Sequence, residues 1–485
     1  MTVNSFIFYT FVRSQKQQNM AFKQFKTLVL SFLILSTVAV AQNNTGTADK
    51  IKTKINIQEA NNAFLNLAYE EAIMLYRKAL ENDKNNSFLL YRIGFSHMEL
   101  NELTEAVESF ELVKASQLKK KYFDFHYAYG LTLHKQGRYN SALTQYQLFV
   151  KSARAKDLKY YEVDRFIKQC NFALKAIENP VSVQITNVGD YINSPYSEYH
   201  PIVTLDGQSM YFTSRRGNEK NTELLPDNQY YENVYVSHWN NEEDAWNEAT
   251  VVEGKMNSET DYSANTGVAP DGKSILVYKN VDENNKKFWK GVGSGDIMLS
   301  KLGKNGLWGR PKLIEGLNSE YYDGGACFSP DGNRIYFISD RRGMMHGKNV
   351  GAKDIWYSDI QEDGTWGKAV NLGPVVNTAY NEISVFMHPD GKTLFFSSEG
   401  HYDNSLGGYD VFKTELKDGV WSTPVNLGFP INTSLDEKEF ILSADGKTGW
   451  ISALKRVENK GDIFQIDLSF YDVITGQNDP LTIVK

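Results

Sequence analysis

The sequence predicts an α + β multidomain chain, an α-solenoid of paired helices followed by a five-bladed β-propeller, with six blades as the alternative count. Three observations predict it. Apolar residues recur at helical spacing, without an internal proline, from 51 to about 180. After Pro180 the pattern changes to short alternating runs broken by turn residues, which is strand spacing. Within this second region one phrase returns five times, in the form "YYDGGACFSPDGNRIYFISDRRG" where it begins at Tyr321.

Residues 1–41 are set apart as an N-terminal extension and signal peptide. Lys23 and Lys26 precede the apolar run Thr27–Ala41, and Ala39-Val40-Ala41 offers small residues two apart, so cleavage is predicted after Ala41. That run is short for a membrane span, and no transmembrane span is expected in the mature form. A periplasmic location follows. Net charge is -7 with no long basic run, which excludes nucleic acid as an expected partner. Cys170 and Cys327 are far apart and belong to no CxxC pair, so both read as buried thiols, not as metal or redox groups.

The helical region, 51–180, carries its own repeat. Ala60, Gly94 and Gly130 are spaced by 34 and 36 residues, and so are Ala72, Ala106 and Ala142, and Tyr76, Phe110 and Tyr146. Small residues at such positions let two helices touch, and each aromatic falls four residues after the second small residue, on the same face. A further helix, Lys159–Ile177, is predicted to cap the stack. Such stacks curve and present a groove from the first helix of each pair. The groove candidates are Asn61, Tyr91, Phe95, Glu99, Tyr127, His134 and Lys135, with packing between helices as the competing reading for the aromatics.

The β-region, 181–469, is read as a propeller. Each copy holds a strand, an Asp-Gly turn, a second strand, a variable loop, a third strand beginning at Asn233, Asp296, Asp354, Asp410 or Asp462, and a short fourth strand. Asp-Gly between apolar runs marks a tight hairpin, because that turn needs positive φ. Fourth-type strands are found in only four copies, near 249–252, 312–315, 369–372 and 424–427. The run Val181–Gly189 is the missing fifth, so the N-terminal strand is predicted to complete the last blade. Asn193, Asn257, Asn318, Asn377 and Asn432 precede the first strands, and an acid follows each: Glu198, Asp261, Asp323, Glu382 and Glu437. Fivefold recurrence makes these acids structural rather than catalytic. The variable loops and the Asn-Ser/Thr loops share one face, which gathers His200, Arg215, Arg216, Arg341, Arg342, His346 and His401 as candidate partner-binding residues. The competing reading is that Arg215 and Arg341 bond the recurring carboxylates of neighbouring blades. No catalytic, cofactor-binding or metal-binding residue is assigned. Residues 470–485 are read as a C-terminal tail.

The helical copies, best in "GLTLHKQGRYNSALTQYQLFV" from Gly130, resemble the tetratricopeptide repeat. The five β-copies resemble the WD40-like, TolB-type propeller repeat of periplasmic proteins. Together the two look like the front half of a Bacteroidetes envelope family that includes a type IX secretion and gliding component. The OmpA-like segment of that family has no counterpart in 470–485, so peptidoglycan binding is not carried over. The resemblance implies a non-enzymatic periplasmic scaffold that holds envelope proteins by the helical groove and the propeller face. A cell-wall or carbohydrate-binding module is the alternative, and a glycan-active propeller enzyme the second alternative.

Overall fold

The computed structural model describes residues 45–225, 227–258, 262–280, 295–341, 353–454 and 460–478. The leader, the predicted cleavage site, Asp261, Arg342 and His346 lie outside the described residues. Among the described residues eight α-helices come first: α1 (Thr45–Leu65), α2 (Tyr69–Leu80), α3 (Ser87–Glu99), α4 (Leu103–Glu111), α5 (Phe125–Lys135), α6 (Tyr139–Ser152), α7 (Ala155–Tyr161) and α8 (Val163–Glu178). Among the described residues no helix is long and apolar enough to cross a membrane.

The repeat spacing has the packing role the sequence suggests. Ala60, Ala72, Ala106 and Ala142 are fully buried. A Cβ on Gly94 would stand 2.7 Å from the Phe110 ring, and one on Gly130 would stand 2.8 Å from the Tyr146 ring. Glycine at these two positions is what lets the aromatic of the second helix lie against the first. The predicted single helix from Lys159 to Ile177 is instead two, α7 and α8, separated by Glu162 in the left-handed region at φ 48°.

The chain divides into two compact units. One holds the described residues through Leu133 together with Thr144–Asp157. The other holds His134–Leu143 and the described residues from Leu158 onward, so α8 belongs to the same unit as the propeller.

Five antiparallel blades follow. Their inner strands are Glu198–Val203, Ala264–Val268, Asp323–Phe328, Glu382–Met387 and Glu437–Leu442. In blades 1 to 4 the chain adds strands outward in sequence order. Blade 5 is finished by Gln184–Asn187, which pairs antiparallel with Gly461–Asp467 in the register Gln184↔Asp467 to Asn187↔Phe464. The predicted closure therefore holds, and the count is five. The Asn221–Tyr231 region, where a sixth blade could have hidden, contains no strand among its described residues.

Closure has a clear driving force. One apolar cluster fills each of the five blade boundaries. At the boundary between blades 5 and 1 it contains Ile192, Met210, Phe212, Tyr235, Trp246, Ile441, Trp450 and Ile463. Each such side chain is worth roughly 2 kcal/mol when taken from water, so an open ring would forfeit much of the fold's stability. After blade 5 the chain makes a small hairpin, Tyr471–Asp472 with Gln477–Asn478, whose Tyr471 and Val473 join the cluster between blades 4 and 5. Lys413 Nζ donates to Val473 O at 2.7 Å and holds it there.

Candidate functional site: the propeller channel

The residues that repeat are occupied in building the ring. Each recurring asparagine acts as a substitute strand for the preceding blade. Asn377 Oδ1 accepts from Ile355 N at 2.8 Å and its Nδ2 donates to Ile355 O at 3.0 Å. Asn193 does the same with Ile463, Asn257 with Val234, Asn318 with Ile297 and Asn432 with Val411. The acids one turn later are equally engaged. Glu198 accepts from Ser194 N, Ser194 Oγ and Ser214 Oγ, and Glu382 from Thr378 Oγ1 and Ser398 Oγ. Asp323 and Glu437 take the same pattern from Ser319 and Thr433. The pairing places Ser263, not Asp261, at this position in blade 2.

Two of the predicted arginines belong to this framework. Arg341 Nη2 donates to Leu317 O at 2.6 Å and bonds Asp323, and Arg216 makes the matching contacts with Ile192 O and Glu198. The carboxylate is that of the arginine's own blade, not of its neighbour. Arg215 is one residue out of step and instead grips Asp227 and Tyr230 O in its own loop. In blade 4, His401 replaces the arginine, its Nε2 donating to Val376 O at 2.9 Å. Blades 4 and 5 thus lack a described arginine beside their acids. There burial pushes Asp410 up to about 8, against hydrogen bonds from Ser405, Leu406 and Asn426. Burial and then the facing Asp410 push Glu437 well above the carboxylate range.

Among the groove candidates the aromatics follow the competing reading, packing between helices. Tyr91 and Phe95 are buried in the helical core, 1% and 7% exposed, and present no face to a partner. Asn61 accepts from Tyr76 Oη at 2.7 Å. Tyr127 packs against Tyr146 and Phe149, and Glu99 is half-buried. His134 is also buried; its Nε2 donates to Leu406 O at 2.7 Å, and burial lowers its ring to about 4. Lys135 O accepts from Ser434 Oγ at 2.8 Å. In the same unit, α8 sends Arg165 to Glu399 O, Gln169 to Ser405 and Lys168 to Asp403. His134 and Lys135 therefore tie helical segments to blades 4 and 5.

One set of positions does not repeat. Two residues after Glu198, Ser263, Asp323, Glu382 and Glu437 stand His200, Asn265, Gly325, Ser384 and Glu439. Every inner strand shifts register near this level. His200, Gly325 and Glu439 take left-handed φ values of 53°, 51° and 59°. That conformation is strained for a histidine and more so for a glutamate. The bulges turn these side chains toward one another. His200 Nδ1 lies 2.9 Å from Glu439 Oε1, within ion-pair range but without an aligned hydrogen bond, while His200 N donates to Glu439 Oε2 at 2.8 Å. Asn265 Nδ2 donates to His200 O at 2.9 Å, and Glu439 N donates to Ser384 Oγ at 3.2 Å. Burial alone would raise Glu439. The His200 ring and the bonds from His200 and Ser452 overcome it and hold the carboxyl at about 2. Sequence reasoning named His200 but missed Asn265, Ser384 and Glu439. The signal was present as the column in which five otherwise similar copies disagree.

This ring is a waist in the central channel. On the loop side stand Tyr199 and Glu232. Burial and then Glu232 raise the Tyr199 phenol well above its usual range, and burial raises Glu232. Lys353 Nζ sits 3.5 Å from the centre of the Tyr322 ring. On the turn side the channel opens into a well of about 520 Å³, floored by His200, Ser384 and Glu439 and walled by all five blades. Among the described residues no cluster of three or more metal-ligating side chains occurs.

No protein family matches the chain, and no curated relative is found. Solved structures are similar at a distance. A complex of BT0996 with RGII is similar at 10% identity and TM-score 0.41, over 62% of this protein and 94% of that one. The Trypanosoma rangeli sialidase bound to the inhibitor DANA is similar at 10% identity and TM-score 0.34, over 58% and 56%. For the helical part, the first TPR of Spaghetti (RPAP3) bound to an HSP90 peptide is similar at 19% identity and TM-score 0.23, over 26% and 94%. Likenesses this distant say nothing of activity.

Proposed function

We propose that the protein is a non-catalytic binding scaffold of the cell envelope, working in the periplasm once the leader through Ala41 is removed. Its narrower setting is envelope assembly of the type IX secretion or gliding kind. One observation carries the non-catalytic part: the loop acids and the acid of the waist are already engaged. The loop acids Glu198, Asp323, Glu382 and Glu437 accept backbone N–H and hydroxyl groups within the ring, and Glu439 commits its oxygens to His200 and Ser452. A general acid or base must reach a substrate proton with a pKa near the working pH, and Glu439 at about 2 is poorly tuned for that. A rigid disc with a channel open to a well is suited to holding a segment of another molecule.

The test has two arms. Affinity capture on the full chain from envelope extracts should return protein partners, and a glycan-array screen should give no saturable binder. Saturable glycan binding with no co-purifying protein would favour the carbohydrate-binding alternative. Turnover of a cell-wall glycan that disappears in Glu439→Gln would overturn the scaffold reading.

A further inference from the structure

The well on the turn side has a chemistry that selects its occupant. Its wall carries one apolar side chain from the fifth position of each inner strand or next to it: Ile202, Val268, Phe328, Phe386 and Ile441. All but Ile441 are half-buried: Val268, Phe328 and Phe386 pack on one side against the cores between blades, to which Ile441 belongs, and leave part of their apolar surface to the well. Leu205, 59% exposed, stands on the rim. An apolar lining of this extent is costly to leave wet, since each Å² returned to an apolar partner is worth roughly 25 cal/mol.

The mouth is charged. The turns of all five blades reach it, through Asp206, Asp271, Pro330, Pro389 and Ala444, and two of their aspartates, Asp206 and Asp271, line it directly. Hydrogen bonds from the hydroxyls of Thr204, Ser329 and Ser443 hold Asp206, Asp331 and Asp445 below the ordinary carboxylate range. Three lysines share these turns, Lys273, Lys392 and Lys447. Of the charged turn residues only Asp206 and Asp271 enter the lining, which leaves the rim acidic around an apolar hole. An anionic ligand is disfavoured by that rim, and a neutral hydrophobe would leave its charge unused.

We infer that the turn-side well docks a polypeptide segment of a partner protein that presents a large apolar side chain flanked by basic residues. The apolar side chain fills the well down to the His200–Glu439 floor, and the flanking cations meet the aspartates of the rim. This deepens the scaffold reading and rests on it.

The experiment uses the full chain and three fluorescein-labelled heptapeptides, Gly-Ser-Lys-Phe-Lys-Ser-Gly and its Glu-Phe-Glu and Lys-Ser-Lys counterparts, read by fluorescence anisotropy. The Lys-Phe-Lys probe should bind saturably and at least about tenfold more tightly than either counterpart, a difference of about 1.4 kcal/mol, and it should weaken as salt rises. Ile202→Trp, which fills the well, should reduce its affinity by about tenfold with the melting temperature unchanged. Asp206→Asn combined with Asp271→Asn keeps an acceptor in each turn and should weaken binding while flattening the salt dependence. Equal binding of the Glu-Phe-Glu or Lys-Ser-Lys peptide, or indifference to Ile202→Trp, overturns the proposal. So does displacement of the Lys-Phe-Lys probe by 1-octanol with no effect of the aspartate changes, which would assign the well to a small hydrophobe. A concentration-dependent dimer of the unliganded chain, broken by Ile202→Trp, would assign it to a second copy. Failure of the peptides while envelope proteins are still captured by the Ile202→Trp chain would sink this inference and leave the scaffold reading standing.

Discussion

Two levels of the same five strands behave in opposite ways. At the first level the blades agree: an asparagine clamp precedes, and the position after it holds Glu198, Ser263, Asp323, Glu382 or Glu437, bonded into the frame wherever it is an acid. Two residues on, His200, Asn265, Gly325, Ser384 and Glu439 share no common chemistry, and two of the four that carry side chains sit in strained backbone. The comparison teaches that in a repeat protein agreement between copies marks construction, while disagreement at a channel-facing level marks recognition.

Breaking the construction level should have the largest effects. Deleting 181–189 removes the outer strand of blade 5 and the Asn187–Asp462 bond at 2.7 Å. That loss is expected to approach the whole stability of a domain, on the order of 5 kcal/mol or more, and to abolish a cooperative thermal transition followed by circular dichroism. An unchanged melt would show that the strand does not close the ring. Next, Asn377→Ala strands the buried N–H of Ile355, while the Ile355 C=O keeps its bond from Leu372 N at 3.0 Å, and should cost about 2 kcal/mol, measured as a shift in urea midpoint.

The waist level should be milder and should show itself through pH. Glu439→Ala leaves the buried His200 N–H without its carboxylate acceptor and should cost about 2 kcal/mol near neutral pH. The folded carboxyl is depressed to about 2. Its contribution is therefore present above the unfolded value, about 4.3, and fades as pH falls toward 2. Equal destabilisation at pH 2 and pH 7 would contradict it. Asp410 sharpens the comparison, because its shift has the opposite sign to that of Glu439. Its folded pKa is raised to about 8. The folded state is favoured when this group is protonated, and stability declines as pH rises from about 4 through 8. Asp410→Asn, which mimics the protonated form, should raise the melting temperature at pH 9 by about 3 °C and leave it unchanged near pH 4. The same gain at both pH values would assign the effect to packing.

Much of the frame was legible in the sequence for a physical reason. Asp-Gly turns, alternating runs and clamp asparagines act through local backbone chemistry that each copy must repeat, and even the borrowed strand followed from counting. Less of the site was legible. The Arg215/Arg216 register was missed because Asp340 and Arg341 follow Ser339 just as Arg215 and Arg216 follow Ser214, so that Arg341 corresponds to Arg216. Tyr91, Phe95 and His134 were offered as groove residues because helical spacing gives the face of a helix but not what lies against it. His134 meets Leu406 from 272 residues away. Glu439 looks like one more acid in "DEKEF" until its strand is set beside its four counterparts.

The most direct test of the division between levels is the thermal shift that the Lys-Phe-Lys heptapeptide produces in three proteins: the native chain, Asn377→Ala and Ile202→Trp. The division predicts that Asn377→Ala melts lower yet keeps the peptide-induced shift, whereas Ile202→Trp melts at the native temperature and loses it. A peptide shift lost in Asn377→Ala and kept in Ile202→Trp would contradict it.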